Sequence, residues 1–229
     1  MSLPMRRIAA GWCLAATLLG ACTVARAAPP LPAAVQNELD FAVLDYESGR
    51  LDKARQAFAS LAARQVPAAE FNLALMHLRR ELPRPDLAQA RALLERAARG
   101  GFVTAQLMLA RTLETGELGQ RDLVRAHDWY ARAAEAGEID AQLAMGTAHY
   151  LGRGRPKDPA QAAHWFREAA KGGEVGAMYL LASMYEQGDG VSPDLRLARY
   201  WYAAAASNGD EAAPGKLKEI DAKLAAQPR

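Results

Sequence analysis

A period of 36 residues constrains this chain more than any other feature. Trp129, Trp165 and Trp201 recur at that spacing, and each is followed at once by an aromatic residue, Tyr130, Phe166 and Tyr202. The same offset carries Ala105, Ala141 and Ala177, the glycines Gly116, Gly152 and Gly188, the aspartates Asp122, Asp158 and Asp194, and then Gly137, Gly173 and Gly209. A period of this size with two apolar stretches per unit specifies stacked helix pairs, in which each unit buries its apolar face only against its neighbours. The usual conversion of 229 residues into one or two globular domains therefore does not apply. Composition agrees, because a chain that is 51% hydrophobic but only 7% aromatic draws its apolar share from Ala and Leu, the residues of close-packed helices.

Each part of the unit has a physical reason. Ala126, Trp129, Tyr130, Ala133 and Ala134 fall at i, i+3, i+4, i+7 and i+8, one face of a helix, and that face is the core. Trp129, Tyr130, Trp165, Phe166, Trp201 and Tyr202 are the expected aromatic core of the array. Asp122, Asp158 and Asp194 stand where a carboxylate accepts from the orphan N–H groups of a helix start. Pro159 supplies a first helical position, and Gln161 completes a capping-box pattern. Gly137, Gly173 and Gly209 end the same helices through a left-handed cap. Ala141, Met145, Ala148 and His149, and then Ala177, Leu181, Met184 and Tyr185, form the stripe of the other helix of each pair. The turns Gly152-Arg153-Gly154 and Gly188-Asp189-Gly190 lack both the preceding strand and the G-K-[ST] ending of a phosphate-cradling loop, so they are turn glycines.

These residues resemble the Sel-one-like repeats (SLR), a branch of the tetratricopeptide-type helical solenoids. Residues 177–212 match that unit nearly throughout, with Ala177, Leu181, Tyr185, Gly188, Gly190, Val191, Asp194, Ala198, Trp201, Tyr202, Ala205, Ala206 and Gly209. Residues 141–176 match with His149 in the Tyr place and Arg155 in the Val place. Residues 105–140 keep the helices but read Gly116-Glu117-Leu118-Gly119 in the turn. Residues 69–104 form a degenerate unit, with Leu93-Leu94 for the aromatic pair and Arg80 for the turn glycine. Residues 37–68 read as a plainer tetratricopeptide-like helix pair, and 213–229 as a capping helix and tail, its stripe of Leu217, Ile220 and Leu224 set among charges. The resemblance implies an all-α fold, a right-handed α-solenoid of stacked antiparallel helix pairs.

The first residues read as an address label. Arg6 and Arg7 precede an apolar run from Ile8 to Ala25, and Ala25-Arg26-Ala27 is an A-x-A site of the kind a signal peptidase cuts, which makes 1–27 a signal peptide and 28–36 a linker. Leu19-Gly20-Ala21-Cys22 competes with it as a lipobox, in which 1–21 would be removed and Cys22 acylated. Both routes export the protein, the first to the periplasm in soluble form and the second to a membrane through the anchor on Cys22. The chain has 28 Lys and Arg against 26 acidic residues. Loss of Arg6, Arg7 and Arg26 with the leader turns that balance to 25 against 26, so no basic footprint remains for nucleic acid. The only cysteines, Cys13 and Cys22, lie in the leader, so no disulfide framework or thiol nucleophile is expected.

No catalytic constellation is visible. No Ser is followed three places later by Lys, and neither G-x-S-x-G nor H-E-x-x-H occurs. His77, His127, His149 and His164 do not share a face at metal spacing, and only His149 falls on a predicted core stripe, as a buried imidazole rather than a ligand. No catalytic residue, metal or cofactor is expected. Some exported members of the family hold their helix pairs with disulfides and have been linked to hydrolysis or to binding cell-wall ligands. That alternative function stays open beside the main one, a scaffold that binds a partner protein or peptide.

For such a scaffold the resemblance implies where the partner lies. By analogy with the tetratricopeptide arrangement, the third, seventh and tenth positions of each unit face the groove. They form three ladders: Leu107, Leu143 and Tyr179; Arg111, Thr147 and Ser183; Glu114, Tyr150 and Glu186. This mixture of apolar, aromatic and polar groups suits a polypeptide.

Overall fold

A computed structural model describes residues 30–226. They form eleven helices and, among the described residues, no strand. The helices are α1 (Ala33–Glu47), α2 (Leu51–Ala63), α3 (Pro67–Leu78), α4 (Leu87–Arg99), α5 (Val103–Thr115), α6 (Leu123–Glu135), α7 (Ile139–Leu151), α8 (Pro159–Lys171), α9 (Val175–Gln187), α10 (Leu195–Ser207) and α11 (Ala213–Ala225). Each packs mainly on the helix before it and the helix after it. The chain is a solenoid of stacked helix pairs, as the period requires. The leader, both of its cleavage sites and Cys22 lie outside the described residues.

Boundaries differ from the expected ones at two places. The first helix of each unit starts at Pro67, Val103, Ile139 and Val175, two residues ahead of the periodic alanine. Those alanines are fully buried third residues of their helices, at the end of the first turn, rather than helix starts. The stretch 28–36 is also not all linker, since α1 begins at Ala33, where the Pro32 carbonyl accepts from the N–H groups of Val35 and Gln36 at 2.8 and 3.0 Å.

The caps are largely as the repeat predicts. Asp86, Asp122, Asp158 and Asp194 each accept backbone N–H groups at the start of the second helix of their unit. The capping box at Asp158 is only half formed. Its carboxylate accepts from Gln161 N at 3.0 Å, but its own N–H donates to the carbonyl of His149 at 2.9 Å, leaving nothing for the Gln161 side chain to bind. Asp122 and Asp194 donate likewise to Leu113 and Tyr185, each at 2.9 Å. These bonds stitch the second helix to the end of the first in three units, α5–α6, α7–α8 and α9–α10. In the degenerate unit the acceptor changes, and Asp86 N donates to the ring Nδ1 of His77 at 3.0 Å.

The turn glycines Gly154 and Gly190 have φ of 74° and 72°. A Cβ at Gly154 would stand 2.4 Å from the carbonyl oxygen of Leu123, and one at Gly190 2.3 Å from that of Pro159. The second glycine of each turn is therefore required twice over, by its left-handed backbone and by its contact with the first turn of the preceding unit's second helix.

The core is two clusters that change over inside the unit of α7 and α8. Met145 of α7 belongs to the first, with Trp129 and Tyr130, while Ala162 and Phe166 of α8 belong to the second, with Tyr202. Phe166 and Tyr202 are fully buried. Trp165 and Trp201 are only half-buried, and Trp165 packs on the first cluster although its neighbour Phe166 sits in the second.

Candidate functional site

The ladder positions share one face of each first helix, α5, α7 and α9, at i, i+4 and i+7. Between α5, α6 and α7 this face holds a cavity of about 220 Å³, lined by Arg111, Glu114, Leu143 and Thr147 of the predicted set together with Ala126, His127, Tyr130, Asp140 and Arg153. Arg111 bridges α5 to α7 through its ion pair with Asp140 at 2.8 Å. Both partners are more than half exposed, so the pair positions the rim rather than adding much stability. Glu114 accepts the phenolic proton of Tyr130 at 2.7 Å. Burial, reinforced by Glu114, pushes the Tyr130 hydroxyl well above its usual range, which keeps it a donor at every physiological pH. The Thr147 hydroxyl donates back to the Leu143 carbonyl at 2.9 Å. That bond occupies the hydroxyl proton, and Thr147 lines the cavity beside the half-buried Leu143 and Ala144.

The other predicted partner residues fare differently. Tyr150 is half-buried, with the Lys157 ammonium 5.0 Å from its ring centre. Tyr179 stacks edge-on against Tyr202 at 5.1 Å. Ser183 accepts from Gln187 Nε2 at 3.1 Å. Two residues are corrected. Leu107, 8% exposed, belongs to the core; the preceding unit presents Phe71 and Leu75 to the same cluster, so apolar packing continues up this face. Glu186 is taken by the cap, since Lys223 and Lys216 of α11 bind its carboxylate at 2.5 and 3.8 Å and Tyr202 donates to it at 3.0 Å. Burial pushes its carboxyl up, but Lys223, Tyr202 and Lys216 outweigh that and hold it below the usual range.

The histidines are where reading by spacing failed. His127 is 8% exposed and meets His149, which is half-buried, edge to face at 5.1 Å. Neither ring nitrogen of His127 has a partner, nor does Nδ1 of His149. His77 is buried too and is explained by its bond to Asp86 N. Burial lowers the pKa of all three rings. The His127–His149 contact leaves no mark in the sequence, because the two sit on different helices at unrelated repeat positions. No group of three or more His, Cys, Asp or Glu with metal-binding geometry occurs among the described residues. No helix among them is long and apolar enough to cross a membrane.

The family model of the Sel1 repeat matches four consecutive segments, 67–102, 103–138, 139–174 and 175–210. Those segments coincide with the helix pairs α3–α4, α5–α6, α7–α8 and α9–α10. No curated protein matches the chain. Among solved structures, c5321 of uropathogenic Escherichia coli, a protective antigen with an SLR fold, aligns with a TM-score of 0.75 at 26% identity over 84% of this chain and 42% of its own. A Sel1 repeat protein from Oxalobacter formigenes aligns with a TM-score of 0.67 at 34% identity over 73% of this chain and 49% of its own. The aligned region thus spans less than half the length of either relative.

Proposed function

The chain belongs to the Sel1 repeat family, whose members generally act as protein–protein interaction scaffolds, and we propose that it is an exported scaffold holding a segment of a partner polypeptide along the face of α5, α7 and α9. Its place is the periplasm, or a membrane if Cys22 is acylated, within an envelope or secretion assembly. The observation that carries this reading is the cavity between α5, α6 and α7. Its floor is apolar, at Leu143 and Ala144, and its rim bears both charges, at Arg111, Glu114, Asp140 and Arg153. Such a site accepts one apolar side chain of an extended segment and orients the flanking backbone through the rim. Family membership by itself confers no chemistry.

The test is a crosslinking experiment in the native envelope with a photoreactive residue at Thr147. A single dominant protein adduct, lost in Leu143→Glu while thermal stability is retained, supports the reading. Unchanged capture by Leu143→Glu, or no adduct from any position on this face, refutes it.

A further inference from the structure

The two ends of the solenoid are finished differently. At the C-terminal end α11 sinks Ile220 fully into the core and turns Lys218, Glu219, Asp221 and Ala222 outward, the polar outer face a terminal cap needs. At the other end α1 packs Leu39 and Ala42, with Val35, Val43 and Tyr46, against the core. Its outer face carries Phe41 and Leu44, which remain 68% and 52% exposed.

At 100° per residue Asn37, Phe41, Leu44 and Ser48 form one stripe along that outer face. Asp40 and Glu47 border it on one side, and Glu38 and Asp45 on the other. The helix has no Lys or Arg. Glu38 and Asp45 are bound by Arg64 and Arg50 of the α2 side, whereas Asp40 accepts only Gln36 and neither it nor Glu47 has a salt-bridge partner among the described residues. The outer face is thus an exposed apolar pair, Phe41 and Leu44, between the polar ends Asn37 and Ser48, with a negative border that is unneutralised on one flank.

We propose that this face of α1 docks an amphipathic helix of another protein, one with an apolar contact stripe flanked by Lys or Arg. A helix laid there continues the stack, covering Phe41 and Leu44 as α2 covers the opposite face. Charge selects the occupant. A second copy would bring the same acidic borders together, and an anionic lipid surface would be repelled by them, whereas a basic flank pairs with Asp40 and Glu47. The site lies ahead of the first Sel1 unit and shares no residue with the groove, so it stands whether or not the groove reading holds.

The probe is a labelled synthetic helix of about four turns with a leucine stripe and lysine flanks, followed by fluorescence anisotropy with the protein as purified after export and processing. The control is the same helix with glutamate flanks. The lysine helix should bind saturably and the glutamate helix at least about tenfold more weakly. The double exchange Asp40→Lys with Glu47→Lys, at exposed positions that do not disturb folding, should invert that preference. Phe41→Ser should weaken both, and Leu143→Glu should change neither. Equal affinity for the two helices, no binding of either, or no inversion in the exchanged protein overturns the proposal. So does sedimentation of the protein as a dimer that Phe41→Ser dissolves, or equally strong association with anionic vesicles.

Discussion

Tyr130 donates its hydroxyl to Glu114 across α5 and α6 at 2.7 Å, and two units further on Tyr202 repeats the bond to Glu186 at 3.0 Å. The intervening unit has Phe166 and Tyr150 at these positions, so the bond vanishes where both of its partners change. In the first pair the acceptor lines the groove cavity; in the second it anchors the cap. Tyr130→Phe should cost about 1 kcal/mol, the net worth of a hydrogen bond whose acceptor stays partly buried. Urea denaturation would show this as a lower midpoint with an unchanged slope. It should also weaken partner binding more than it weakens stability, because Glu114 loses the bond that orients it.

Gly146 lies inside α7, where helix propensity alone favours alanine by about 1 kcal/mol. Packing opposes it. A Cβ there would meet the Phe166 ring at 2.4 Å, and Phe166 is fully buried. Gly146→Ala should therefore destabilise by about 1–3 kcal/mol. Adding Phe166→Leu should make that penalty smaller than it is in the wild-type background, a coupling that a double-mutant cycle in urea would measure.

Four of the second-helix terminations carry glycine at positive φ, at Gly101, Gly137, Gly173 and Gly209, but the equivalent place after α2 is Gln65, with φ of 59°. Its backbone makes the same two cap bonds, Gln65 N to Ala62 O and Val66 N to Leu61 O. Arg80, at φ of 56°, does likewise after α3. Gln65→Gly should stabilise by about 1 kcal/mol, since the strain of a side chain in this region exceeds the entropy that glycine adds to the unfolded chain. Gly137→Gln should do the reverse by a similar amount, as nothing stands within 4 Å of the Cβ it would add. Thermal melts of the two variants check both signs.

His77, His127 and His149 all have ring pKa values lowered by burial. Around the His127–His149 pair Arg155 lowers further, while Asp128 and Asp158 pull the other way. The folded state binds fewer protons than the unfolded chain, so stability is fully present above the ordinary histidine value of 6.5 and is lost as pH falls through the lowered folded values. The melting temperature should drop between pH 7.5 and pH 5, on the order of 2–4 °C for each kcal/mol lost. His127→Gln, which cannot take up the proton, should flatten that slope.

The helix pairs, the aspartate caps, the glycine terminators and the fold class were legible in the chain because their partners are local. Asp122, Asp158 and Asp194 reach N–H groups two or three residues ahead, and Gly137 closes a helix on its own last turn, so a 36-residue period displays each cause beside its effect. Phase was harder to read. The alanines that mark the period most clearly sit two residues inside their helices, where burial selects for small residues, whereas the starts themselves vary between Pro67, Val103, Ile139 and Val175.

What only the tertiary structure decided are the contacts made across units that are not alike. The ladder Glu114, Tyr150, Glu186 is uniform in register, yet Glu114 lines a cavity and Glu186 is closed off by Lys216 and Lys223 because one unit is followed by another and the last by the cap. Leu107 shares its register with Leu143 but enters the core, because the unit before it is more apolar. His127 and His149 meet only because α6 packs against α7. A repeat fixes which residues face inward or outward along each helix through local backbone geometry. The exposure of any one of them depends on the volume and charge of its neighbours in the adjoining units, and those neighbours are set by packing in three dimensions.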